Sequence, residues 1–216
     1  MKRIVFVLAL SLVVGVASAA AAKKAQPTVR LRVSARTLGL GQLLRMRGSL
    51  PAAAGGQSIS IVSRPCGFEG KAEVVRVTVR HDGTFVFAAE PMLTTTFSVL
   101  WNNVASSDVT VTVQPAIAVT ALPNGRIGVQ VTTTGGYSID GREVLVQRLR
   151  PGRTAWQTLA AVQVKNVSLP DAMTWVSTGS VSRAGLGPHD QVRALLTRDQ
   201  AGPCYEPVAS APLAGA

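Results

Sequence analysis

Beyond the first two dozen residues, apolar and polar positions alternate with a period of two. Val29, Leu31 and Val33 alternate with Arg30, Arg32 and Ser34, and Leu44 and Met46 with Arg45 and Arg47. The same pattern runs through Val75, Val77 and Val79 and again through Val109, Val111 and Val113. Such spacing turns one set of side chains to a core and the other to water, which is the geometry of a half-buried β-strand. Turn signals punctuate the runs: Gly39-Leu40-Gly41, Gly55-Gly56, Asp82-Gly83, Asn124-Gly125, Gly135-Gly136 and Asp140-Gly141. No stretch after the leader sustains a helical period. Short strands at roughly 8 to 12 residue spacing predict an all-β sandwich or barrel.

The pattern predicts seven strands before Gln114-Pro115, near 28–34, 43–50, 58–65, 74–80, 84–90, 95–102 and 109–114. Seven more follow, near 116–122, 127–134, 143–150, 156–165, 172–180, 191–198 and 207–213. The segments 27–114 and 115–216 each approach the roughly 100 residues of one sandwich. They echo each other weakly, Ser58-Ile59-Ser60-Ile61-Val62-Ser63-Arg64 aligning with Glu143-Val144-Leu145-Val146-Gln147-Arg148.

The N-terminus has a different character. Met1-Lys2-Arg3 is basic, Ile4 to Val16 is apolar, and Ala17-Ser18-Ala19 fits a small-residue cleavage site. The apolar run to Ala22 reaches the length of a membrane span, but its last third is Ala, Ser and Gly, which insert weakly. A signal peptide over 1–19, a linker over 20–26 and no stable transmembrane anchor after cleavage are therefore expected. Cleavage would remove Lys2 and Arg3 and leave 20 basic against 11 acidic side chains, a charge of +9. A basic exported protein can be drawn to anionic surfaces.

The first segment carries Gly41-Gln42 before Leu44, Met46 and Gly48, then Asp82-Gly83-Thr84-Phe85, then Pro91 with Thr95, Thr96 and Phe97. These motifs resemble bacterial secreted immunoglobulin-like domains. Gly141-Arg142-Glu143-Val144 with Trp156, and Gly202-Pro203-Cys204-Tyr205 with Ser210, resemble the same family in the second segment. Phe97 stands where members tend to carry a tyrosine, and the cysteine pair inside one sandwich is missing. The resemblance implies two tandem immunoglobulin-like antiparallel β-sandwiches. It also implies a binding, adhesive or spacer role outside the cytoplasm, with no shared catalytic site.

Catalytic chemistry is thinly represented. His81 sits beside the Asp82-Gly83 turn signal, His189 follows Gly187-Pro188, and neither has a second histidine at metal-ligand spacing. There is no G-x-S-x-G elbow, P-loop or dinucleotide fingerprint. No catalytic residue, metal, cofactor or specific nucleic-acid partner is expected, and an enzyme with an unrecognised site is the least favoured reading. Trp101, Trp156 and Trp175 read as packing residues, with Trp101 near a loop, and Asn166-Val167-Ser168 as an incidental glycosylation sequon.

Two functional constellations remain. The outward arginines Arg30, Arg32, Arg45 and Arg47 fall on neighbouring strands, with Arg76 and Arg80 joining from the fourth. Together they form a candidate face for an anionic cell-wall polymer or glycan. Cys66 and Cys204 lie one in each segment, so within the chain they can bridge only the two domains, and an oxidising compartment favours that bond. The expected protein is a secreted or surface-associated structural or ligand-presenting module whose partner is a protein or an anionic cell-wall polymer or glycan.

Overall fold

The computed structural model describes residues 28–214 apart from 69 and 172, and the side chains of 168–170 also stand outside that description. The leader over 1–19 and the linker over 20–26 lie outside the described residues. The first segment contributes β1 (Arg30–Val33), β2 (Thr37–Gly39), β3 (Leu44–Ser49), β4 (Ser58–Pro65), β5 (Glu73–Thr78), β6 (Thr84–Ala89), β7 (Thr95–Trp101), β8 (Val104–Ala105) and β9 (Val109–Gln114). A sheet in the order β1-β3-β6 faces a second in the order β2-β9-β7-β4-β5, with β8 on β7. The short β2 runs parallel to β9, and every other pairing in this half is antiparallel. Leu44, Met46, Ile59, Ile61, Phe85, Val99 and Val111 fill the space between the sheets. The alternation read from the sequence is the cause: Leu44 and Met46 are fully buried while Arg45 and Arg47 of the same strand are exposed.

The second segment contributes β10 (Ala116–Leu122), β11 (Arg126–Thr133), β12 (Glu143–Leu149), β13 (Gln157–Gln163), β14 (Lys165–Asp171), β15 (Thr174–Ser182), β16 (Gln191–Leu196), β17 (Val208–Ala209) and β18 (Leu213–Ala214). One sheet has the order β10-β11-β15-β14 and the other β13-β12-β16-β17, with β18 also on β16. The first, second, sixth and fifth strands of this segment thus form one sheet and the fourth, third, seventh and eighth the other, an antiparallel β-sandwich. One short helix, α1 (Arg198–Ala201), follows β16.

The single strand expected over 156–165 is two strands. β13 belongs to one sheet and β14 to the other, and the chain crosses between them at Val164, which is fully buried. The strand expected over 207–213 is likewise divided. Between β17 and β18, Ser210 takes the place of a ladder residue: its N–H donates to the Ala194 carbonyl and its hydroxyl accepts from the Ala194 N–H.

No sheet mixes strands from the two sides of Pro115, yet the core does not stop there. Leu93 and Val113 of the first segment belong to the apolar core of the second, and Leu40 and Cys66 pack against it. Only Pro115 separates β9 from β10. The sandwiches therefore share buried surface at their junction.

Candidate functional site: the bridged junction and the arginine face

The junction is organised around Thr94, in the connection from β6 to β7. Its carbonyl accepts from the Cys66 N–H at 2.8 Å, and its own N–H donates to the Cys204 carbonyl at 3.0 Å. The backbone thus holds both cysteines beside one residue, and they are joined as a disulfide with Cα atoms 5.3 Å apart. That separation lies in the range an unforced bridge requires. Glu206 N–H donates to the Val113 carbonyl, and the Gln114 side chain donates to the Pro207 carbonyl, so the crossing contacts extend beyond the sulfurs.

Tyr205 completes the junction. Its ring is buried and meets Tyr137 edge to face at 5.6 Å. Its hydroxyl accepts from the Thr134 N–H at 2.8 Å and stands 3.0 Å from the Thr134 carbonyl and 3.2 Å from the Met92 carbonyl. Met92 comes from the first segment and Thr134 from the second, so one phenol ties both. Burial pushes the Tyr205 pKa above its ordinary value near 10.0. Gly202 makes room for this arrangement. It has φ +74°, and a Cβ there would lie 1.9 Å from the Tyr137 hydroxyl. Leu93 and Tyr205 carry the junction without standing in any alternating run, so periodicity does not mark them. Tyr205 is marked in the sequence only by the Gly202-Pro203-Cys204-Tyr205 motif and its neighbouring cysteine.

The four first-choice arginines share one sheet face. Arg32 is directly opposite Arg47 in the β1–β3 ladder, Arg30 is opposite Ser49, and Arg45 lies two residues before Arg47. Directly opposed side chains on one sheet face stand about 5 Å apart at Cβ. Across the β3–β6 ladder the outward neighbours are Val86 and Ala88, so no carboxylate interleaves the guanidinium groups there. None of the four forms an ion pair among the described residues, where the pairs found are Arg64–Asp108, Arg148–Asp190 and Arg198–Glu206.

Arg76 and Arg80 are not part of that face. Arg76 pairs with Ser60 on β5, in the opposite sheet. Alternation assigns a residue to a side of its strand and carries no information about which sheet the strand joins. Arg80 sits in the β5–β6 turn, closed by its N–H to the Thr84 carbonyl. There it is beside Asp82, whose carboxyl is held below the ordinary carboxylate range chiefly by the Thr84 hydroxyl and N–H.

The remaining candidates have local roles. His81 and His189 are exposed in turns. The Trp101 indole donates to Gln57, and Trp156 lies under the Arg193 guanidinium at 4.2 Å from its ring centre. Asn166 of the sequon is turned to its neighbours: its amide donates to Ser138 and its carbonyl accepts from Ser177. Among the described residues no group of three His, Cys, Asp or Glu stands together to hold a metal, and no helix is long and apolar enough to cross a membrane.

A cleft of about 360 Å³ opens beside the junction, between the start of β5 and the end of β6. Phe68, Met92, Leu93 and Met173 give it apolar walls, and Lys71, Glu73 and Glu90 stand among its lining. The sequence gives no hint of it, because its walls come from loops of both segments.

No protein-family model matches the chain, and no curated protein matches it. Among solved structures, it is similar to a purple acid phosphatase from yellow lupin (Lupinus luteus) seeds, with 10% identity and a TM-score of 0.38. The match covers 85% of this chain, which spans about 40% of that structure.

Proposed function

We propose that the protein is an exported bacterial module without enzymatic activity. Its tandem immunoglobulin-like sandwiches would be held in a fixed relation to present a surface at or outside the cell. The observation that carries this reading is the Cys66–Cys204 bond, which spans the junction and leaves no free cysteine. Bonds of this kind persist in oxidising compartments and are rare in the cytosol. A shared core beneath the bond favours rigidity over a flexible tether. Protein recovered from the extracellular fraction and alkylated without reduction should have an intact mass beginning within a few residues of Ala20, with no alkylated thiol. Retention of Met1 to Ala19 in a membrane fraction, or two alkylated cysteines, would overturn it.

The arginine ladder favours a second reading, in which the same module binds an anionic cell-wall polymer or glycan. Arg32 and Arg47 are held opposite each other with no acid between them, an arrangement that repels itself until a polyanion intervenes. Retention on a sulfated polysaccharide matrix should fall steeply with salt. Replacing Arg30, Arg32, Arg45 and Arg47 with Ser should shift elution to markedly lower salt. Unchanged elution retires the arginine face and leaves the first reading standing.

A further inference from the structure

In the second sandwich, β14 pairs with β15 and closes the sheet over β13. There Val162 of β13, opposite the fully buried Val144, is itself only 7% exposed. Among the described residues the first sandwich has no strand at that place. The chain passes from β5 through the turn at Arg80–Thr84 directly into β6, which among those residues pairs with β3 alone. The result is legible at Val75. It is opposite Ile61, which is 1% exposed, so it lies on the core side of its sheet, yet it is 43% exposed. A core-side valine open to water marks a missing covering strand.

The open edge has a defined polarity. Leu50 N–H donates to the Gly83 carbonyl, which sets the phase of the β3–β6 ladder. Bonded and non-bonded pairs alternate from there, so Phe85, Phe87 and Ala89 bond to β3. Val86 and Ala88 turn their N–H and C=O groups to the free side. The floor beyond that edge ends in the cleft, where Phe68, Met92 and Met173 are partly exposed and where Glu73 and Glu90, with Lys71 in the same lining, form no ion pair among the described residues. In a chain of strong positive charge, this is a place that offers carboxylates to a ligand.

We propose that the free edge of β6 is a docking site for an extended segment of a partner protein, which adds as the missing strand. Strand addition of this kind takes its affinity from main-chain hydrogen bonds and its selectivity from pockets for alternate side chains. The segment runs antiparallel to β6, as β14 does to β15. Its alternate apolar side chains cover Val75 and Val77, and its N-terminal end carries a basic residue toward Glu73 and Glu90. The site borders the arginine ladder, since Val86 and Ala88 are the cross-strand neighbours of Arg47 and Arg45, but it uses the main-chain edge of β6 and the inward side of the sheet rather than the guanidinium groups.

The test uses the full disulfide-bonded chain as target for a displayed library of random eight-residue linear peptides. The enriched peptides should alternate apolar residues and carry Lys or Arg at the N-terminal end. A synthetic copy of the best one should lose at least tenfold in affinity on Ala88→Pro, which removes a free-edge N–H without touching the β3 ladder. Val86→Lys, a substitution that blunts edges, gives the same reading should Ala88→Pro fail to fold. Glu73→Gln with Glu90→Gln should lose several-fold against peptides with the basic end, and Arg30→Ser with Arg32→Ser, on β1 beyond β3, should alter nothing. Absence of enrichment, or affinity that survives both edge variants, overturns the proposal. So does a concentration-dependent dimer abolished by Ala88→Pro, which would make a second copy of the chain the occupant.

Discussion

The two sandwiches share most of their strand order and, apart from the short β2 laid parallel on β9, differ at one crossing. In the second, the chain leaves β13, changes sheets over the single buried residue Val164, and lays down β14 before turning into β15. In the first, the chain goes from β5 to β6 by a tight turn and never lays down a covering strand. The second sandwich thus closes a four-stranded sheet over its core. The first leaves a three-stranded sheet with a bare edge and places an apolar, carboxylate-lined cleft beside it. A few residues of extra chain separate a sheet with a fourth strand from one that ends at β6. The junction supports the contrast, because Leu93 from the open sandwich is buried in the core of the closed one.

The most forceful way to break this arrangement is to cut the bond across the junction. Cys66 and Cys204 are 138 positions apart, so the disulfide closes a loop through most of the described chain. On the chain-entropy view such a closure stabilises by roughly 5 kcal/mol. Cys66→Ser with Cys204→Ser should therefore lower the urea midpoint by the largest step of any change at the junction. The two sandwiches should nevertheless still unfold in one transition. Leu93 and Val113 remain in the core of the second, and the Tyr205 hydroxyl still reaches both segments. Fluorescence of Trp101 reports the first sandwich, and that of Trp156 and Trp175 the second, read in variants that keep only one set. Coincident curves are expected. Two separated transitions would show that the bond alone couples the halves and that the comparison should be drawn between independent domains.

The regular elements of this fold were plain in the sequence, because each half-buried strand writes its own alternation. β3 and β9 fall within a residue or two of the expected ranges for that reason. Two kinds of feature were not written there. A strand that changes sheets keeps facing the same core, so Val162 and Val164 continue one alternation across the break and conceal it. Short pieces such as β2 and β8 hold too few residues to show a period. At the candidate sites the same logic holds. The arginines of β1 and β3 came together because consecutive outward positions on adjacent strands must. Arg76 did not join them, because sheet membership is a long-range property. Tyr205 and the cleft arise where loops meet, and loops carry no period.

The smallest effect expected is also the most specific, and it sits on the phenol that joins the sandwiches. Tyr205→Phe removes the acceptor of the Thr134 N–H and the donor to the Thr134 or Met92 carbonyl, while the ring and its contact with Tyr137 remain. Loss of one such group at a buried site costs about 1–3 kcal/mol. The difference should depend on pH with a definite sign. Burial raises the folded-state pKa of Tyr205 above its ordinary 10.0, so from there upward the unfolded chain releases the phenol proton while the folded chain keeps it. The unfolded state then binds fewer protons, and stability falls as pH rises. The full contribution is present below pH 10 and is lost as the pH climbs through the folded-state pKa. The phenylalanine variant has no such proton to lose. Urea midpoints at pH 7, 9 and 10.5 should therefore show a gap between wild type and Tyr205→Phe that is constant over the first two and narrower at the third. A gap that holds its size at pH 10.5 would mean that the hydroxyl titrates as it does in the unfolded chain. That would mean the Thr134 N–H, which favours the ionised phenol, offsets its burial, whereas equal midpoints at pH 7 would show that the hydrogen bonds from Tyr205 to Met92 and Thr134 are not what binds the closed sandwich to the open one.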